Sequence, residues 1–202
     1  MTYRIETRNC YLRLALERLE GISDHSVDTC IIDLASFPSL TELIRIVSRN
    51  ETSARFIFIG NRGSFSCALA SLVSVDSKAT LRGYYEKLRH CPGVSYGMAI
   101  ALLIDLKTMA NLTYKDMTTV HSLLLNDSMK SAAGQIGTRP KLFYHRVDTL
   151  VKKMNMLNRL QTQLFLRLEF RPDYVQERIN EHVRLSVRRQ LGQVNSLVLT
   201  EY

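Results

Sequence analysis

Between Ser128 and Arg167 the chain carries eight bases, Lys130, Arg139, Lys141, Arg146, Lys152, Lys153, Arg159 and Arg167, and a single acid, Asp148. Over all 202 residues the formal net charge is +8, so most of the excess is local to this one segment. Concentrated positive charge suits a polyanion, because each phosphate met by a Lys or Arg releases condensed counterions. Tyr144 and His145 lie among these bases and bring a hydroxyl and an imidazole able to reach phosphates or base edges. Catalytic patterns are missing: there is no GxSxG, HExxH, P-loop or GxGxxG, and no His/Cys/acid cluster at workable spacing. Neither an enzyme nor a cofactor or metal is expected. Cys10, Cys30, Cys67 and Cys91 are scattered without a CxxC pair, so reduced structural thiols are expected rather than disulfides or zinc ligands.

Three helices must position the basic segment. Thr113, with Asp116 three residues on, reads as a capping box opening a helix to Leu125, its apolar face supplied by Val120, Leu123 and Leu124. Ser128 can cap a short second helix whose Ala132, Ala133 and Ile136 permit close packing. Gly137 supplies a turn, and Pro140 sits in the first turn of a third helix, where its missing N–H is not needed. There Phe143, Val147, Leu150 and Met154 fall on an inward face, leaving Tyr144, His145, Asp148 and Lys152 outside. Two short helices joined by a tight glycine turn, the second with polar groups outward, is the helix-turn-helix pattern that enters the DNA major groove.

These residues resemble the LuxR-type (GerE-type) helix-turn-helix of bacterial transcription regulators. Leu112-Thr113-x-Lys115-Asp116 is similar to that family's L-T/S-x-R-E, Ser128-x-Lys130-x-x-Ala133 to its S-x-K-x-I-A, and Lys153-Met154-Asn155-Met156-x-Asn158-Arg159-x-Gln161 to its K-L-G-V-x-N-R-x-Q. The sequence departs from the pattern at Asn126, Leu142-Phe143 and Arg146. The resemblance implies that Tyr144, His145 and Asp148 lie where relatives touch bases. Lys130, Arg139 and Lys141, around the helix starts, would meet phosphates, with Arg146 and Lys152 completing the DNA-binding set. It also implies that a following helix, Thr162 to Leu168, makes dimer contacts.

Residues 1–105 alternate between patterns. Tyr11–Leu19 reads as a helix, the apolar run in "VDTCIIDLASF" as a buried parallel strand, "PSLTELIRIVSRN" as a helix, "ARFIFIG" and "SLVSV" as strands, and "KATLRGYYEKLRH" as a helix. This order resembles a response-regulator receiver domain with Asp33 at the phosphoacceptor position and Lys78 near the receiver lysine. Where a receiver has an acidic pair after its first strand to hold magnesium, this chain reads Thr7-Arg8. The stretch before "CIID" is also too short for the usual second strand and helix. A shortened receiver-like domain that is not phosphorylated is expected. Met98–Met109 reads as an apolar element packing between the two halves.

Beyond residue 169, Val175, Ile179, Val183, Val187 and Leu191 recur every four residues among Arg178, Arg184, Arg188 and Arg189, with Gly192 suited to stop the helix. This stripe could seat the helix on its own domain or form a partner surface. His25, His90, His121 and His182 have no partner at catalytic spacing and are expected to be surface or packing residues. No run of eighteen apolar residues and no signal-peptide block occurs, so a soluble cytoplasmic protein is expected. The sequence thus predicts an α/β receiver-like domain over 1–105 with a shortened parallel sheet, an all-α helix-turn-helix domain over 106–168, and a helical extension over 169–202. The expected role is phosphorylation-independent regulation of transcription. The expected partners are double-stranded promoter DNA, a second copy or another LuxR-type regulator, and RNA polymerase, with no membrane. The competing expectation is a protein-interaction module, an anti-activator binding a partner regulator without reading DNA.

Overall fold

The computed structural model describes residues 3–20 and 28–198, with the side chains of Tyr3, Glu20 and residues 189 onward outside the described set. His25 and the side chains of Arg189 and Leu191 therefore lie outside the described residues. The chain runs β1 (Tyr3–Glu6), α1 (Cys10–Glu20), β2 (Thr29–Asp33), a short 3-10 turn (Leu34–Ser36), α2 (Leu40–Arg49), β3 (Arg55–Gly60), α3 (Ser64–Ala68), β4 (Val73–Asp76) and α4 (Leu81–His90). Helices follow alone: α5 (Tyr96–Thr108), α6 (Tyr114–Leu125), α7 (Met129–Gln135), α8 (Pro140–Lys153), α9 (Arg159–Glu169) and α10 (Pro172–Val198).

The four strands pair in parallel in the order β1-β2-β3-β4. Because side chains alternate along a strand, each face of the sheet needs its own cover. Ile31, Ile57, Ile59 and Val75 pack with Leu16 and Leu19 of α1 and Tyr84 and Leu88 of α4. Cys30, Ile32, Phe56 and Phe58 share a second core with Leu40, Leu43 and Val47 of α2 and Ala99 and Leu103 of α5. Burial pushes the Cys30 thiol up to about 12, so it is an inert part of this core, and all four cysteines are free thiols. The second core continues without a break into Val120, Leu123, Phe143, Leu150, Phe165 and Ile179 of the C-terminal helices.

At the end of β2 the buried Asp33 carboxylate accepts from the Thr7 hydroxyl at 2.9 Å, the Ser36 hydroxyl at 2.6 Å and the Ala35 amide at 3.1 Å. Arg8 turns away to an ion pair with Glu42 at 2.6 Å. Lys78 is exposed on the turn after β4.

One expectation is corrected: α10 does not stop at Gly192 but continues to Val198. A glycine inside a helix costs only about 1 kcal/mol, and no proline follows it within the helix. Among its described residues, Val175 and Ile179 are buried against the body of the protein and the His182 ring lies 6.3 Å from that of Tyr114 on α6.

The junction between the halves rests on Glu169, at the end of α9. One of its carboxylate oxygens accepts from the Leu40 amide at the start of α2 (3.0 Å), and the other from Lys107 Nζ of α5 (3.3 Å). A carboxylate at a helix N-terminus meets both unpaired amides and the positive end of the helix dipole. Tyr174 and Arg178 of α10 add hydrogen bonds to the carbonyls of Lys107 and Thr108 at the end of α5. Glu169→Ala leaves the buried Leu40 amide without its acceptor and the Lys107 ammonium without its counter-charge, with only the residue 169 carbonyl (3.4 Å) still accepting from it. It should destabilise the protein by about 2–3 kcal/mol, read from the urea midpoint, with Glu169→Gln losing less.

Candidate nucleic-acid interface

The trio of helices is set by its caps. Thr113 and Asp116 form a reciprocal capping box on α6, the Ser128 hydroxyl accepts from the Ser131 amide on α7, Gly137 takes φ +62° in the turn, and Pro140 stands in the first turn of α8. Between α6 and α7, Ser122 Oγ donates to the Ala132 carbonyl at 2.6 Å, a close approach that Ala132 and Ala133, both fully buried, make room for. Asn155, in the left-handed region at φ +52°, ends α8 and donates its side-chain amide to the Cys67 carbonyl of the sheet domain.

Phe143, Val147 and Leu150 are buried and Met154 nearly so, as their spacing requires. At about 100° per residue, Lys141, Tyr144, His145, Asp148 and Lys152 share the opposite face. Lys141, Tyr144, His145 and Lys152 are exposed there, Lys130 is exposed on α7, and Arg139 is exposed at the N-cap of α8. Arg146 is not brought to this face; it lies half-buried on the flank of α8, about 140° from Lys141.

Asp148 is held by Arg159 of α9 through two parallel hydrogen bonds, 2.6 and 2.8 Å. The Arg159 hydrogen bonds keep the carboxyl below the usual carboxylate range, against a smaller opposing effect of desolvation. The same guanidinium lies over the Tyr144 ring, 4.9 Å from its centroid. Tyr144 and Asp148 are therefore fixed by a neighbouring helix, while Lys141, His145 and Lys152 keep free ends. Lys153 pairs with Asp116, and Arg167 with Asp127 at 3.2 Å. Among the described residues this leaves Lys130, Arg139, Lys141, Arg146 and Lys152 as segment bases without an ion pair.

Two features were not picked out from the sequence. One is the tie from Arg159 to Asp148 and Tyr144, since nothing in the spacing shows that α9 returns beside α8. The other is a row of exposed leucines: Leu157, then Leu160, Leu164 and Leu168 on one face of α9, 59–66% exposed. Their spacing was a legible helical stripe, but Phe165 and Leu166 offer a rival stripe, and these are the two that are buried.

No family model and no curated protein matches the sequence. Among solved structures, the chain is similar to the two-component response regulator RcsB in its complex with DNA. The TM-score is 0.56 at 15% identity, over 84% of this chain and 99% of that one. The likeness is one of fold, a parallel sheet with helices followed by an all-helical region. Among the described residues no helix is long and apolar enough to cross a membrane.

Burial raises the Asp116 carboxyl, but its hydrogen bonds with Lys153 and Thr113 outweigh this and hold it below the ordinary value. A depressed carboxyl stabilises the fold above its unfolded-state value and loses that contribution as pH falls through the folded-state one. Wild-type stability should therefore fall as pH drops below about 4, and Asp116→Asn should reduce that fall in thermal melts between neutral and acid pH. Arg159→Ala should release the Tyr144 ring, seen as a changed tyrosine NMR environment.

Proposed function

We propose that this chain is a DNA-binding transcriptional regulator whose α7–α8 unit docks on duplex DNA, working as a dimer and without phosphorylation of Asp33. The observation that carries the reading is the outward face of α8. It presents Lys141, His145 and Lys152 beside Lys130 and Arg139, over a helix whose other side is fully buried. Arg139 and Lys141 at the start of α8, and Lys130 at the start of α7, set register by phosphate contact, and His145 is the group free to reach a base edge. Tyr144 and Asp148 shape the groove face through their tie to Arg159.

The likeness in fold to a regulator whose solved structure holds DNA supports the reading. The exposed leucines of α9 supply a surface for the second copy or for another LuxR-type regulator, which places two recognition helices on successive half-sites. The Asp33 pocket supports phosphorylation independence: the Thr7 and Ser36 hydroxyls donate to the carboxylate, and Thr7-Arg8 stands where an acidic pair would hold a divalent cation. RNA polymerase is a partner consistent with a promoter-bound regulator.

A second reading, a protein-interaction module acting as an anti-activator, is favoured by one observation: two outward groups of α8 are already engaged by Arg159. The two readings separate on duplex DNA enriched from a random pool and titrated by fluorescence anisotropy over a salt series. Regulator binding should be sequence-selective and fall with salt at a log–log slope of about −4 or steeper. Lys130→Ala, Arg139→Ala and Lys141→Ala should each flatten the slope by about 1 per copy. Leu160→Lys with Leu164→Lys should abolish pairing on DNA. No selective binding at low salt would establish the second reading.

A further inference from the structure

The junction that Glu169 ties together also holds a cavity of about 190 Å³, bordered by the exposed Asn111. Its apolar wall comes from both halves of the molecule. Leu69 follows α3, Met109 ends α5, Met154 ends α8 and Phe170 joins α9 to α10, and all four are buried. Atoms that line empty space forfeit dispersion contacts on that side. The two methionines have unbranched, polarisable side chains that adjust to an occupant.

One charged group on this wall is unspent. Asp105 of α5 lines the cavity and is half-buried, and among the described residues its carboxylate has neither a hydrogen bond nor an ion pair. The lysines of the junction are already engaged: Lys107 pairs with Glu169, and Lys153, which also lines the cavity, pairs with Asp116. A carboxylate partly withdrawn from water beside apolar surface favours a cation that brings its own N–H donors, because charge-assisted hydrogen bonds strengthen as the local dielectric falls.

We propose that this cavity is a binding site for a small apolar amine, its body seated among Leu69, Met109, Met154 and Phe170 and its ammonium donating to Asp105. An apolar pocket that converges with a few polar groups is the usual form of a small-molecule site. Size narrows the class. An apolar cavity of about 150 Å³ holds one benzene ring, so the space here takes a single ring with a short amine arm and nothing larger. An occupant touches Met154 of α8 and Leu69 of the sheet domain at once, so it strengthens the same junction that orients the basic face. The site is separate from the α9 leucines and does not depend on DNA binding.

The test is methyl NMR of the full-length chain without DNA, with labelled methionines assigned by single replacement with leucine. Benzylamine, a cation at neutral pH, and benzyl alcohol, its uncharged isostere, are the probes. Benzylamine should shift the Met109 and Met154 methyls saturably, with an affinity about tenfold or more above that of benzyl alcohol. It should also raise the thermal midpoint, as any ligand that prefers the folded state does. D105N should bring benzylamine down to the level of benzyl alcohol, while both still shift the two methyls. Ala68 also lines the cavity, and A68F should fill it and abolish binding of both probes, with circular dichroism unchanged. Because D105N alters only the charge at the wall, it decides the matter even where A68F perturbs the fold. Methyls that do not move with benzylamine up to millimolar concentrations would overturn the proposal. So would equal affinity for the two probes, a preference for the amine that survives D105N, or shifts confined to methionines away from the cavity.

Discussion

The carboxylate of Glu169 is the point at which the two halves of the molecule become one. It comes from the end of α9, yet it reaches the first amide of α2 and the ammonium of Lys107 on α5. Around it the core is continuous from the sheet through α5 to the C-terminal helices. Fixing α9 in this way also fixes α8: Asp116 and Lys153 tie the far end of α8 to α6, and Arg159 ties its outer face to α9. The orientation of the basic face is thus set by contacts that begin at the sheet domain.

The sheet and its helices form a closed layer. Both faces of its four strands are covered, and its edge order follows the chain order because β1 pairs directly with β2. The pocket at the carboxyl end of β2 is closed chemically, with two hydroxyls and an amide satisfying Asp33. A carboxylate so occupied is a structural hub joining β1, β2 and the turn that leads to α2, which in turn receives Glu169.

The face of α8 shows how local charge and tertiary placement combine. By sequence Asp148 is an acid among bases, a mismatch for a surface meeting phosphate. In the fold Arg159 cancels it and stacks on Tyr144, so the acid costs the surface little of its positive character. What remains available is a compact set of lysines, Arg139 and one histidine.

Much of this was legible in the residues themselves. The capping box at Thr113–Asp116, the turn at Gly137, Pro140 at the head of α8 and the buried row Phe143, Val147, Leu150 and Met154 follow from local rules of backbone and period, which act within a few residues. The apolar runs of β2 and β3 likewise announce strands buried on both faces. Tertiary structure alone decided which of two apolar stripes on α9 is core, where the valine row of α10 turns from buried to exposed, and that Asp148, Asp33 and Glu169 each find partners 11, 26 and 129 residues away. The reason is physical: period and capping are written between neighbours on one element, whereas the partner of a charge and the cover of a face depend on how elements cross in space.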